Sequence, residues 1–127
     1  MKSIDDVVGI SAKALASRSR RMEVLSQNIA NADTPHYKAR DIQFSKVLQE
    51  VEGNSLKATS PSHIAIADGN TNPGMMYRIP FNNSFDGNTV ELNVEQAQYG
   101  QAAGEYQATL NILESRINGL KRALRGD

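Results

Sequence analysis

The clearest pattern in the chain is a heptad repeat of apolar residues in its last third. Successive apolar positions lie 4, 3, 4, 3, 4, 3 and 4 residues apart, which is the period of a coiled-coil seam. These positions are Tyr99, Ala103, Tyr106, Leu110, Leu113, Ile117, Leu120 and Leu124. Most polar residues nearby, including Glu95, fall outside this seam. The pattern predicts a helix from about Val94 to Arg125, with Asn93 as its N-cap.

A helix of that length would measure roughly 48 Å. A compact chain of 127 residues has a radius of gyration of roughly 14 Å, and hence a diameter of roughly 36 Å. The predicted helix is therefore longer than any globule that the chain could form alone. Its apolar seam needs a partner helix.

The first third carries a second and weaker apolar stripe. Its main row recurs every seven residues and has two members at the complementary seam position; the residues are Val8, Leu15, Met22 and Ile29, with Ile4 and Leu25. Ser11 and Arg18 interrupt the complementary row. The stripe predicts a helix from about Ile4 to Ala32, because the residue before Pro35 is disfavoured in the helical region.

Two amphipathic helices at the chain ends predict a mainly α fold. They would pair as a coiled coil in either the parallel or the antiparallel sense, with a small irregular or β-like region between them. The expected segments are 1–34, 35–92 and 93–127. Some apolar residues remain at the flanks of the seams and are expected to pack against other chains. They are Val7, Val24, Ile112 and Ala123.

The middle of the chain is rich in Gly, Pro, Asn and Ser. Short apolar alternations at His63–Ile66 and Met76–Ile79 are possible strands. Asp68–Asn70 and Asp86–Asn88 are turn signals. The apolar residues between Ile42 and Val51 fit either a short helix or an extended segment.

Charge and composition narrow the classes of protein to consider. Basic and acidic residues balance at 14 each, which argues against a nucleic-acid-binding surface. The densest basic runs fall inside the predicted helices, where we expect them on solvated faces. They are Arg18, Arg20 and Arg21 near the start, and Lys121, Arg122 and Arg125 near the end.

Leu, Ile, Val and Phe together supply only 28 of the 127 residues, and there is no Trp or Cys. The chain alone therefore has little material for a core and no disulfide to compensate. Residues 1–10 carry two aspartates where a secretory signal would carry positive charge, and no stretch is apolar enough to span a bilayer. We expect neither cleaved-signal export nor membrane insertion.

Candidate catalytic chemistry is sparse. His36 and His63 are the only histidines, and neither has another metal-capable side chain at helical spacing. There is no thiol, no G-x-S-x-G motif and no phosphate-binding glycine loop. We therefore expect no enzymatic activity, no metal or other cofactor and no small-molecule substrate. A small hydrolase acting through His36 or His63 is the rival interpretation.

The most informative stretch follows the first helix. Asn28 and Asn31 lie one turn apart near a helix end, where their amides can bond exposed carbonyls or a neighbouring chain. Pro35 stops the helix and Tyr37 supplies an aromatic anchor beyond it. The full motif is Asn28, Ala30, Asn31, Thr34, Pro35 and Tyr37. From physical chemistry alone it indicates a helix C-terminus followed by a turn.

The letters NIANADTPHYKARDIQF, at 28–44, resemble the N-terminal signature of flagellar rod and hook proteins, which is close to N-x-A-N-x-x-T-P-G-Y. The part from Ala39 to Phe44 is similar to an extension found in the proximal-rod members. HIAI at 63–66 and FDGNTVELNVEQ at 85–96 agree with the same family. The chain departs from the pattern at His36, where the family commonly has Gly. If the turn requires a positive φ there, His is disfavoured relative to Gly.

This resemblance implies a structural subunit of the proximal flagellar basal-body rod. It implies export in unfolded form by the flagellar type III apparatus, without a cleaved signal peptide, and assembly into a helical shaft that spans the periplasm and transmits torque. The implied partners are copies of itself, other flagellar rod proteins, the adaptor between membrane ring and rod, and the export apparatus.

The helix seams would carry the assembly contacts. The seam residues are Val8, Leu15, Met22, Leu25 and Ile29 in the first helix, and Tyr106, Leu110, Leu113, Ile117, Leu120 and Leu124 in the second. The periodicity alone fits a second interpretation equally, in which the chain is a coiled-coil adaptor or binding module unrelated to flagella.

Overall fold

The computed structural model describes residues 4–47 and 74–126. Its regular elements are α1 (Ile4–Ala30), β1 (Arg40–Ile42), β2 (Met75–Tyr77) and α2 (Leu92–Arg125). The predicted fold class is confirmed: two long helices pack against each other beside a small two-stranded sheet. The possible strand at 63–66, the turn signal at 68–70 and the side chain of Val7 lie outside what is described.

Helix α1 begins with acidic residues and ends in a tightened turn. Asp5 and Asp6 lie in its first turn, where the positive end of the helix dipole favours carboxylates. Its end comes at Ala30, two residues before the predicted end. The N–H of Ala32 bonds the carbonyl of Ile29 at 3.2 Å, so the chain tightens to three-residue spacing there.

Helix α2 contains 34 residues and is therefore about 51 Å long. The predicted N-cap at Asn93 is wrong, because the helix begins at Leu92 and Glu91 is the capping residue. Glu91 has extended backbone angles, and its carbonyl accepts the first helical hydrogen bond, from the N–H of Glu95 at 2.9 Å. Asn93 is left inside the first turn. At the other end Gly126 adopts a left-handed conformation, with φ of 76°, and its N–H bonds a last-turn carbonyl.

The two helices run antiparallel, which settles the orientation that the pattern left open. Side-chain contacts join early residues of α1 to late residues of α2, as in Ser11 to Arg116, and late residues of α1 to early ones of α2, as in Asn28 to Glu95. The buried apolar residues of the described part are Val24, Leu25, Ala39, Ile42 and Ala102.

The prediction that Val24 would remain at an unfilled flank is wrong. Its side chain is buried because α1 packs against β1 as well as α2, so a wider arc of the helix is covered than one seam. Ile112, by contrast, is exposed on α2 as expected for a flank residue.

The sheet is antiparallel, with Arg40 opposite Tyr77 and Ile42 opposite Met75. Strand β2 begins one residue before the predicted alternation and ends earlier, at Tyr77. The N–H of Arg78 still bonds the carbonyl of Ala39 at 2.9 Å, and Pro80 beyond it has no N–H to donate. In the segment that the sequence left undecided, Ile42 is extended and 44–47 form a helical turn.

Neither α1 nor α2 has a stretch apolar and long enough to cross a membrane.

Candidate functional site

The Asn28 side chain joins three elements of the fold. It is fully buried, and its Nδ2 donates to the carbonyl of Arg40 at 2.6 Å and to Oε2 of Glu95 at 3.0 Å. Its Oδ1 accepts from the N–H of Arg40 at 3.1 Å and from the Tyr37 hydroxyl at 3.3 Å. Both amide hydrogens and both oxygen lone pairs are thus used. The amide binds β1 as a neighbouring strand would, and links it to α1 and α2.

The second motif asparagine acts locally. Nδ2 of Asn31 donates to the carbonyl of Gln27 at 2.7 Å, and its Oδ1 accepts from the Thr34 hydroxyl at 3.2 Å. These bonds satisfy a carbonyl near the end of α1 and close the turn that follows. In this structure the amides of Asn28 and Asn31 both bond groups of their own chain.

The turn after Pro35 meets a second turn from the segment before α2. His36 has a φ of 61° and Gly87 a φ of 73°, both in the left-handed region. The N–H of His36 donates to the carbonyl of Asp86 at 2.9 Å, and the N–H of Thr89 donates to the carbonyl of Tyr37 at 3.0 Å. The positive φ that would favour glycine over histidine is therefore present.

Asn88, in that second turn, binds the turn that follows α1. Its Nδ2 lies 3.0, 2.9 and 2.8 Å from the carbonyl oxygens of Asn31, Ala32 and Thr34. Its Oδ1 accepts from the N–H of Val90 at 2.7 Å, and the side chain is buried. A residue more than fifty positions away thus binds the backbone carbonyls of the turn that follows α1.

Four charged side chains form a cluster between the helices and the sheet. Asp41 accepts from Nε of Arg21 at 2.9 Å and from Nη2 of Arg78 at 2.7 Å. Nε of Arg78 also lies 3.4 Å from Oε1 of Glu95, which is fully buried. The hydrogen bond that Arg21 donates to the Asp41 carboxylate raises the pKa of the Arg21 guanidinium above its ordinary value. Two cations and two anions balance, and we call Arg21, Asp41, Arg78 and Glu95 the charge cluster.

Three polar residues were misjudged from the sequence. Arg18 and Arg21 do not lie on a solvated face: Arg18 pairs with Glu105 at 2.5 Å, and Arg21 belongs to the charge cluster. Glu95 was expected outside the seam and is buried. Ser11, which interrupts the apolar stripe, is buried, and its hydroxyl accepts a hydrogen bond from Arg116 at 2.8 Å. No local signal announces partners 87 and 105 residues away.

The residues of the predicted seams are incompletely covered within this chain. Leu25 is fully buried. The half-buried members are Val8, Leu15, Met22 and Ile29 on α1, and Tyr106, Leu110, Leu113, Ile117 and Leu120 on α2. Leu124 is 83% exposed and does not join the pair. Ile10 and Ile112 add two more exposed apolar side chains on the helices.

An exposed apolar strip follows β2. Tyr77, Ile79 and Phe81 alternate along the chain and are 70%, 89% and 86% exposed. Arg78 lies between the first two and binds Asp41 beneath, so the strip is anchored by polar contacts. A groove of about 440 Å³ separates the strip from the start of α2. No sequence signal beyond the alternation itself indicated this surface.

The described residues offer little for catalysis. His36 is on an exposed turn, and His63 lies outside the described residues. Within 4–47 and 74–126, no group of three His, Asp or Glu side chains could hold a metal ion. The structure therefore gives no observation that favours the hydrolase interpretation.

Residues 10–38, which include most of α1 and the asparagine motif, match the family model described as Flagella basal body rod protein. Over 128 residues the chain is 42% identical to the flagellar basal body rod protein FlgB of Cereibacter sphaeroides, covering 100% of both chains. It is 45% identical to FlgB of Aeromonas hydrophila, with 98% of this chain and 97% of that one covered. It is 38% identical to FlgB of Salmonella typhimurium, with 97% and 96% covered.

Proposed function

This chain belongs to the family of flagellar basal body rod proteins, and we propose that it is a structural subunit of the basal-body rod. The observation that carries the proposal is similarity over essentially the whole of both chains, at 38–45% identity for the three relatives described. The names of those relatives describe a rod component and no catalytic reaction. The proposed role is accordingly structural and not enzymatic.

The geometry supports assembly through the helices. The seams of α1 and α2 are only partly covered within one chain, and Leu124, Ile10 and Ile112 are exposed. Burying such residues against other subunits is favourable, at about 25 cal/mol for each Å² of apolar surface. A contact that repeats between copies without closing produces a helical filament. Copies of this chain and other flagellar rod proteins are therefore the proposed partners.

The finer parts of the proposal concern the position of the subunit. We place it in the proximal rod, beside the adaptor that joins the membrane ring to the rod. It would reach this place through the flagellar type III export apparatus, unfolded and without a cleaved signal peptide. The absence of cysteine suits such a route, since an unfolded chain without thiols cannot form incorrect disulfides on the way.

Folding of the terminal helices when the subunit joins the rod would couple export of the chain to assembly of the rod. A chain with so few large apolar residues gains little from a core of its own, and contacts with neighbours would offset the entropy lost on ordering. The same coupling would prevent polymerisation before export. No observation favours the alternative of an adaptor unrelated to flagella.

Complementation tests the proposed function. In flagellated cells that lack their own FlgB, expression of this chain should restore swimming and basal bodies with a complete proximal shaft. The chain should be found in purified basal bodies by mass spectrometry. If the cells stay non-motile while the chain is expressed and exported, and if it never copurifies with basal bodies, the rod proposal is wrong.

A further inference from the structure

The apolar seam alone does not determine how far one helix is shifted along the other. Leu110, Leu113, Ile117 and Leu120 are similar in size and follow the heptad. A slip of seven residues, about 10 Å along the axis, would therefore again place apolar residues opposite apolar ones. We infer that the buried pair Asn28–Glu95 fixes the register of α1 against α2, as a positioning pair and not only as a stabilising one.

Two polar contacts between the helices share one register. Asn28 contacts Glu95, and Arg18 contacts Glu105. Arg18 lies ten residues before Asn28 in α1, and Glu105 lies ten residues after Glu95 in α2, as expected for one antiparallel register. After a slip of one heptad in one direction, Asn28 would face Ala102. After a slip in the other direction, it would face position 88, before α2 begins. Neither slip gives the buried amide a carboxylate partner.

Burial makes this pair more selective than the other contacts. Asn28 and Glu95 are both 0% exposed, whereas Arg18 and Glu105 keep part of their side chains in solvent. A solvated partner can exchange a protein contact for water, but a buried one cannot. Oε1 of Glu95 has no hydrogen bond among the described residues, so the carboxylate depends on Asn28 through Oε2 and on the nearby charge of Arg78.

The same two side chains tie the register to the sheet. Asn28 bonds both backbone groups of Arg40 in β1, and Glu95 lies beside Arg78, which follows β2. A shift of α2 would therefore separate Glu95 from two elements at once. A buried polar contact between two packed helices is a known way to select a single register.

Replacing Glu95 with an apolar residue tests whether Glu95 fixes the register of the helices or only stabilises their packing. In Glu95→Leu, Arg78 keeps Asp41 at 2.7 Å and Asn28 keeps both bonds to Arg40, so no charge is left without a partner. Leu fits the apolar seam in either register. The helices should therefore still form in this variant, but without a single register.

Distances between spin labels measure the register directly. The chain has no cysteine, so Ser26→Cys and Ser115→Cys give two labelling sites, both exposed and well separated along the pair. Pulsed electron resonance is recorded on the full chain, at a concentration where circular dichroism shows that the helices have formed. With the seam unchanged, the distance between the two labels should have one narrow distribution. In Glu95→Leu and in Asn28→Leu, a second population of distances should appear, displaced from the first by about 10 Å.

Two controls separate register from general damage. Glu95→Gln keeps an oxygen that can accept from Asn28, and should keep the single distance. Gln96→Leu adds the same side chain at an exposed neighbouring position, and should also keep it. The inference would be overturned by a single unchanged distance in both Leu variants. Loss of helix without a second population, or no narrow distance in the unchanged seam, would overturn it as well. None of these outcomes depends on the proposed rod function.

Discussion

Nδ1 of His36 occupies the space in which a side chain on residue 87 would begin: a Cβ built on Gly87 would lie 2.9 Å from it. Both residues have left-handed backbone angles, and the hydrogen bond from His36 to Asp86 holds their two turns together. Glycine at 87 is therefore required twice, by its backbone angle and by its neighbour. His36 carries the same backbone cost with a side chain present.

Gly87→Ala should lower the free energy of unfolding by about 2 kcal/mol, since Ala is disfavoured at this φ and would also press on His36. Urea denaturation followed by circular dichroism, at a concentration where the helices have formed, measures the change. Gly104→Ala is the matched control, because it lies in open space on α2 and should raise stability by about 1 kcal/mol through helix propensity. Equal changes in the two variants would contradict the prediction.

His36→Gly should raise the free energy of unfolding by about 1 kcal/mol, because glycine adopts a φ of 61° without the steric cost. The backbone bond to Asp86 needs no side chain and remains. His36→Ala, which keeps a Cβ, should not show the gain. When His36→Gly is combined with Gly87→Ala, the alanine side chain no longer meets the imidazole of His36. The part of the destabilisation by Gly87→Ala that comes from this contact should then disappear, and a double-mutant cycle would measure it.

Leu113→Asp should block incorporation into the rod while leaving expression intact. The side chain is half-buried in the α2 seam, and a carboxylate there would lose hydration without gaining a partner. Swimming and the amount of chain in purified basal bodies are the measurements. Ser115→Asp, at an exposed position on the same helix, should assemble normally. Normal motility of the Leu113 variant would count against assembly through this seam.

The dilute monomer should show little protection from hydrogen exchange in either terminal helix, because the seams are only partly covered within one chain. Mass spectrometry of peptides after deuterium labelling would measure it. On assembly the protection should rise in both helices. Strong protection from Gln98 to Leu124 at low concentration would instead show that the pair is stable by itself.

Asp86 should make a small, acid-sensitive contribution to stability. Hydrogen bonds from the N–H of Asn88 and from Ser84 lower the pKa of its carboxyl in the folded chain. The contribution is present above the carboxyl's unfolded pKa and is lost as the pH falls through the lowered folded value. Asp86→Asn, whose amide oxygen can still accept from Asn88, should remove this part of the acid dependence. Urea midpoints between pH 7 and pH 2 would report it, and identical acid dependence would exclude the effect.

The elements with regular periodicity were predictable from the sequence. The predicted first and last residues of α1 and α2 lie within two residues of those in the structure. The apolar repeat, Pro35 and the basic last turn are local signals, and they sufficed to place these bounds. Carbonyls were one of the two partners expected for the amides of the motif asparagines. The departure from the family pattern raised the question of a positive φ at His36, and the structure has one. These inferences needed only neighbouring residues or a known signature.

The polar core of the fold was not predictable in this way. Glu95 looks like an ordinary surface residue of an amphipathic helix, and its burial depends on Asn28 and Arg78, which are distant in sequence. Arg18 and Ser11 looked like defects in a stripe for the same reason. Strand β1 has only three residues, too few for a period, and it forms because Asn28 and β2 bind its two edges.

The contribution of Asn88 to the end of α1 also sets a time at which the fold can be completed. Helix α1 is finished at residue 30, yet the amide that satisfies the carbonyls beyond it is 54 to 57 positions farther along. A chain growing on the ribosome must therefore reach residue 88 before the turn after α1 gains these bonds. Until then that turn lacks its long-range contact and the first helix lacks its partner, and the nascent protein stays incomplete for most of its synthesis.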